Sequence, residues 1–307
     1  MKKVLRLAIK ALSAPDVDVK KTYRLRRRLI NAAHLHRFNP FEPRQDLVIH
    51  TDGQSIPVRI YRPETEDTKT IIIFYHGGGW TTGNVDSYDG VCANIAKILG
   101  YTVVSVDYRL APEHPFPAAL HDCYAVAQKI CTGEADGLQP EQVILMGDSA
   151  GGNLAAAVCL MARDIGRFLP SKQILLYPAV YYDHSEQSPF PSVRENGTDY
   201  LLTAKNIRDY MQLYISREED RQSPYFAPLL AKDYSNLPDT LIITAELDPL
   251  RDEGEEYGKR LRAAGNQVEI HRIGDALHGF FSLPPRNAQV HECYRIIYQF
   301  LQGGWRG

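Results

Sequence analysis

The chain lacks any apolar run long enough to cross a membrane, any internal repeat and any low-complexity segment. Stable membrane insertion, solenoid architectures and intrinsic disorder are therefore not expected. Its five cysteines (Cys92, Cys123, Cys131, Cys159 and Cys293) are odd in number, widely spaced and without a C-x-x-C pair. That pattern argues against a disulfide framework or a zinc site and fits a reducing compartment, so a cytoplasmic location is expected. Charge of one sign is also scarce: the net is −2 over 307 residues, which gives the whole molecule no bias toward nucleic acid. The distribution is uneven. Residues 1–45 hold twelve Lys/Arg against three Asp/Glu, a net of +9 against −11 for the rest. The run Arg24-Leu25-Arg26-Arg27-Arg28 reads first as a solvated helix face, and second as a surface for a membrane or an acidic partner. Met1–Lys10 imitates a secretory signal, but Arg6 and Lys10 interrupt its apolar region. Val4, Ala8 and Leu12 share one helical face, so an amphipathic helix is expected there.

What is present is an alternation. Eight short apolar runs read as strands: Asp46–Thr51, Ile56–Tyr61, Thr70–Tyr75, Tyr101–Asp107, Gln142–Gly147, Gln173–Tyr177, Thr240–Ala245 and Gln267–Ile273. The first two are joined by Asp52-Gly53, a hairpin signal, and most of the others are separated by helical patterns of ten or more residues. Such alternation predicts an α/β protein with a mostly parallel eight-stranded sheet covered by helices on both faces. Residues 46–180 and 223–307 form this core. Residues 1–45 and 181–222 stand outside the alternation and read together as a helical lid; the second carries Ile207, Tyr210, Met211, Tyr214 and Ile215 on one helix face, capped by Thr203.

One stretch carries chemistry more clearly than the rest. The strand Val143-Ile144-Leu145-Met146 runs into Gly147-Asp148-Ser149-Ala150-Gly151-Gly152 and then an Ala-rich helix. A strand turning sharply into a helix leaves no room for side chains at the flanking positions, and the serine stands exposed at the apex. Serine needs a base to take its proton and a carboxylate to orient that base; at turns of this kind the acid and then the histidine follow in the chain. Of the later histidines, His184 falls in the lid segment, His271 in a strand and His291 in the last helix. His278 follows the last strand in a loop and is the expected base. The loop after Thr240–Ala245 offers Glu246, Asp248 and Asp252. Asp248, at the strand-to-loop transition before Pro249, is the expected acid, with Asp252 as the alternative and a first-turn helix acid as its ordinary role. His76-Gly77-Gly78-Gly79-Trp80 follows Thr70–Tyr75 and has the composition of an oxyanion loop. Gly78 with Gly77 or Gly79, joined by the N–H of Ala150, are the expected donors. A phosphate-binding loop is disfavoured, since no Lys-Ser/Thr follows. Arg109, Glu113 and His114 read as internal braces, and Asp148 as a support for the serine turn. Tyr181, Tyr182, Phe190 and Tyr200 read as pocket lining or lid packing, and Asn196-Gly197 as a turn. No metal and no organic cofactor is implied.

Five motifs, His76–Trp80, Asp107–Pro115, Gly147–Asn153, Asp248–Gly254 and His278–Phe280, occur in an order that resembles the bacterial hormone-sensitive-lipase-like carboxylesterases. The resemblance runs from roughly residue 46 to the C-terminus. It implies the α/β-hydrolase fold with a cap built from the N-terminal segment and the insertion after strand six. It also implies hydrolysis of short- to medium-chain carboxylic (acetyl-type) esters through an acyl-enzyme, with Ser149, Asp248 and His278 as the triad. The implied partner is a small-molecule ester, and a homo-oligomer stays open. An amidase, an arylformamidase or a sugar deacetylase would use the same triad. A non-catalytic ligand receptor on the same fold is disfavoured, because the triad is complete.

Overall fold

The computed structural model describes residues 18–34, 44–51, 53–63 and 69–303. The helix expected at Met1–Lys10, and Asp52 of the hairpin, lie outside them. In chain order the elements are α1 (Val19–His34), β1 (Arg44–Thr51), β2 (Gln54–Tyr61), β3 (Thr70–Tyr75), α2 (Asp89–Leu99) and β4 (Thr102–Val106). Then come α3 (Ala118–Cys131), β5 (Gln142–Asp148), α4 (Ala150–Ile165), β6 (Lys172–Leu176), α5 (Pro191–Asn196) and α6 (Ala204–Tyr214). β7 (Asp239–Leu247), α7 (Arg251–Ala263), β8 (Val268–Leu277) and α8 (Ala288–Leu301) complete the chain.

The strands form one eight-stranded sheet in the order β1-β2-β4-β3-β5-β6-β7-β8. β1 and β2 are antiparallel, as are β2 and β4, and every other pair is parallel. β3 shows why the centre is a two-sided core strand. Ile71, Ile73 and Tyr75 point into the layer made with α3, α4 and α7, whereas Ile72 and Phe74 point into the layer made with α2 and α8. Successive strand residues face opposite sides, so a strand buried on both faces reads as an unbroken apolar run. The edge strands behave differently. β1 and β2 begin two residues earlier than their apolar patterns, because ladder pairing carries through polar residues such as Arg44, opposite Tyr61. β8 runs on to Leu277 after a register shift between Ala245 and Leu247, and so delivers its end beside β7.

The segment between β6 and β7 holds α6, whose first turn is capped by Thr203 Oγ1 accepting from Asn206 N at 3.1 Å. Ile207, Met211 and Tyr214 are buried, Tyr210 is half-buried, and Ile215 lies past the helix end. α5, begun by Pro191 at the first helical position, was not expected. α1 packs on α6 through a buried Val19 and Tyr23. Arg27 ties α1 to the loops after β3 and β4, donating to Thr81 O at 2.9 Å and Ala111 O at 3.0 Å and pairing with Glu113 at 3.0 Å. Among the described residues no helix is long and apolar enough to cross a membrane.

Candidate active site

The site grows from the C-terminal ends of the parallel strands, where loops of such sheets gather ligands. β5 ends at Asp148 and α4 begins at Ala150, which leaves Ser149 alone to make the turn at φ 55°, ψ −118°. A non-glycine residue there carries about 1–3 kcal/mol of backbone strain and persists only when its neighbours hold it. Ser149 N donates to Leu176 O at 2.9 Å, and Ser149 O accepts from Asn153 N at 3.0 Å. The flanking glycines are a packing requirement: a Cβ on Gly147 would run into Gly151 O, and one on Gly151 into Tyr75 O.

The three side chains picked from the sequence meet. His278 Nε2 lies 2.9 Å from Ser149 Oγ, and His278 Nδ1 lies 2.7 Å from Asp248 Oδ2. Asp248 is fully buried, and its other oxygen accepts from Leu250 N at 2.9 Å. With both carboxylate oxygens engaged, Nδ1 carries its proton and Nε2 presents a lone pair to the hydroxyl. The Asn196 amide donates to Asp248 O and Glu246 O, both at 3.3 Å, so this residue, which ends α5 where Gly197 begins a turn, also steadies the acid's loop.

The other carboxylates of that loop have different partners. Glu246 accepts from Asp275 N at 2.6 Å, near the end of β8 just before His278. Asp252 accepts from Ser192 N at 2.7 Å and pairs with Arg251, so it holds α5 against the first turn of α7. The remaining histidines stand apart: His184 is buried against Glu253 at 2.6 Å, His271 lies on β8 near Glu269, and His291 is on α8. Arg109 and Glu113 act as braces, Arg109 by a two-pronged pair with the buried Asp122. Tyr181, Tyr182 and Phe190 pack on one another at ring separations of 4.7 and 5.2 Å and, like Tyr200, do not line the cavity at Ser149.

The Gly-rich loop corrects one expectation. Gly77 N–H donates to Asp148 Oδ1 at 2.8 Å, with Tyr88 Oη also 3.1 Å from it, so it does not face a reacting oxygen. Gly78 and Gly79, at φ 115° and 60°, line the cavity at Ser149 together with Ala150. A Cβ on Gly79 would come within 2.5 Å of the Tyr210 ring, which therefore lies directly on the loop. Sequence reasoning missed what holds this loop. Asp148, whose role was read only as local support, also accepts from Tyr88 Oη at 3.1 Å. Burial pushes its carboxyl up to about 6 despite these hydrogen bonds and the nearby His278. His76, stacked on Tyr108 at 4.3 Å, is held down to about 4 by burial and stays neutral, donating from Nδ1 to Gly77 O at 2.8 Å. Ser149, His278, Gly78 and Gly79 open onto a cavity of about 190 Å³ walled by Leu202, Ile207, Tyr210 and Leu250. Among the described residues no group of three or more His, Cys, Asp or Glu is placed to hold a metal ion.

A family model described as alpha/beta hydrolase fold matches residues 72–282. The chain is 43% identical over 246 residues to the carboxylic ester hydrolase LipN of Mycobacterium tuberculosis, a match spanning 78% of this chain and 64% of that protein. It is 36% identical to an arylesterase of Saccharolobus solfataricus, over 82% of this chain and 81% of that one. Among solved structures, the hyperthermophilic esterase of Pyrobaculum calidifontis superposes with a TM-score of 0.85 at 37% identity, covering 97% of this chain and 96% of that one.

Proposed function

The chain belongs to the alpha/beta hydrolase fold family, and from that premise we propose that it is a serine carboxylesterase acting on small esters of short- to medium-chain acids. The observation that carries this reading is the hydrogen-bonded line from Asp248 through His278 to Ser149, at 2.7 and 2.9 Å. The names of the relatives, a carboxylic ester hydrolase, an arylesterase and an esterase, support the same reaction class.

In the proposed mechanism His278 Nε2 takes the Ser149 proton as Oγ attacks the ester carbonyl. The resulting oxyanion is held by the N–H groups of Gly78, Gly79 and Ala150, the last in the first turn of α4, where the helix end adds partial positive charge. His278 then gives the proton to the leaving alcohol. Water, deprotonated by the same imidazole, attacks the acyl-enzyme and releases the acid. Asp248 orients the ring and stabilises its charged form, and remains a carboxylate throughout.

Substrate size follows from the cavity. At about 190 Å³ it is smaller than the roughly 300–1,000 Å³ of sites for drug-sized ligands, which favours acetyl- to butyryl-type groups over long acyl chains. In this reading residues 1–45 and 181–222 make a cap, with α6 supplying Ile207 and Tyr210 to the wall. A panel of chromogenic esters graded by acyl length tests the proposal. Turnover should peak among the short acids and vanish in Ser149→Ala, with the fold intact by circular dichroism. Retained turnover in that variant would place the nucleophile elsewhere.

A further inference from the structure

α1 has an outer face that neither the sheet nor the reaction uses. Leu25 and Leu29 are 57% and 60% exposed. Lys21, Arg24 and Arg28 are also exposed. At 3.6 residues per turn these five positions fall in one arc of about 140°, cations and leucines side by side. The opposite side of the helix is committed. Val19 and Tyr23 are buried, Arg26 donates to Tyr210 Oη at 3.1 Å, and Arg27 binds the loop after β3. Among the described residues, Asp18, just before the helix, lies 3.6 Å from Lys21, Arg24 Nε donates to Tyr23 Oη at 2.9 Å, and Glu113 meets Arg27 on the inner side with Arg24 also near enough to lower its carboxyl.

We infer that this outer face of α1 is a docking surface for anionic phospholipid bilayers. A basic arc alone would suit any polyanion. The interleaved leucines select a lipid surface, since they enter the headgroup boundary while Arg24 and Arg28 stay among the phosphates. The charge of the segment agrees, with twelve Lys/Arg against three Asp/Glu in residues 1–45. The position of the helix gives such docking a use. Ile30, on the inner side, lines a cleft of about 580 Å³ that shares Gly78, Tyr88 and Ser282 with the cavity at Ser149. A molecule seated through α1 holds that cleft within about one helix diameter of the bilayer.

The test is co-sedimentation of the full chain with vesicles of phosphatidylcholine alone and of phosphatidylcholine mixed with phosphatidylglycerol. Binding to the anionic vesicles only, released by high salt, is expected. Arg24→Glu with Arg28→Glu should lower the partition coefficient by roughly tenfold or more. Leu25→Ser with Leu29→Ser should lower it while leaving the salt dependence in place. Melting curves matching the parent's show that both variants fold; if either pair unfolds the protein, Arg28→Gln with Leu29→Ser replaces it. No binding to anionic vesicles, or equal binding by parent and variants, overturns the inference. So does a variant-sensitive self-association without lipid, or tighter retention on poly-glutamate than on vesicles, which would reassign the face to a second copy or an acidic protein.

Discussion

Replacing Asp148 with Asn tests the electrostatics of the centre without altering its shape. The carboxyl is 3% exposed and burial raises it from 3.8 to about 6. At about 1.4 kcal/mol per unit, keeping it ionised in the folded protein costs about 3 kcal/mol relative to the protonated form. The sign follows from linkage. The folded-state value is raised, so the group's contribution is fully favourable below about pH 3.8 and is lost as pH rises through about 6. Asn lacks the charge and keeps an acceptor for Gly77 N–H. The Asp148→Asn protein should therefore be more stable than the parent by about 3 kcal/mol near neutral pH, and the gap should close between about pH 6 and pH 4. Urea unfolding followed by circular dichroism at a series of pH values measures this directly. A gap that stays constant with pH, or a parent more stable at neutral pH, would refute the reasoning. Activity should move the other way. Tyr88 Oη, at 3.1 Å, exchanges a charged acceptor for a neutral group, a loss of about 1 kcal/mol. That predicts a fall in kcat of up to about tenfold, with KM little changed.

Three further outcomes are expected. Gly78→Ala should lower kcat by about 10² or more, because φ is 115° and the new Cβ meets Thr82, 2.7 Å from its Oγ1; single-turnover kinetics near the parent rate would exclude Gly78 as a donor. Tyr210→Ala removes the ring lying on Gly79 and one wall of the cavity, so the preferred acyl length should increase; an unchanged profile over the ester panel would show that Tyr210 does not limit it. Trp80→Ala should cost about 3–5 kcal/mol in urea unfolding, since the indole is 2% exposed and stacks on Tyr214 at 4.5 Å; a loss under about 1 kcal/mol would contradict that packing.

The parts of the molecule legible in the sequence are those where local sterics leave one choice of residue. Gly147 and Gly151 flank Ser149 because backbone carbonyls occupy the space a Cβ would need. Ile71–Phe74 reads as a central strand because both of its faces are covered. Asp248 and His278 could be picked by order along the chain, since Asp248 follows β7 and His278 follows β8, its parallel neighbour. Contacts between distant segments were not legible. Gly77 and Asp148 are 71 residues apart, and only their meeting removes Gly77 from the donors; the available signal was a carboxylate closing an apolar strand, with Tyr88 downstream of the loop. The end of β8 was equally hidden, because residues 274–277 are mostly polar or small and join the sheet through a register shift. α5 escaped notice because six residues opened by Pro191 are too short for a helical period to show.

The central claim is that Ser149 becomes acylated because His278 takes its proton. Titration with a fluorophosphonate, followed by peptide mass analysis, tests it most directly. The account predicts one adduct per chain, on the peptide containing Ser149, with ester turnover lost in step with labelling. It also predicts labelling slower by about 10³ or more in His278→Gln. An adduct on another residue, undiminished labelling in that variant, or turnover that survives complete modification of Ser149 would contradict it.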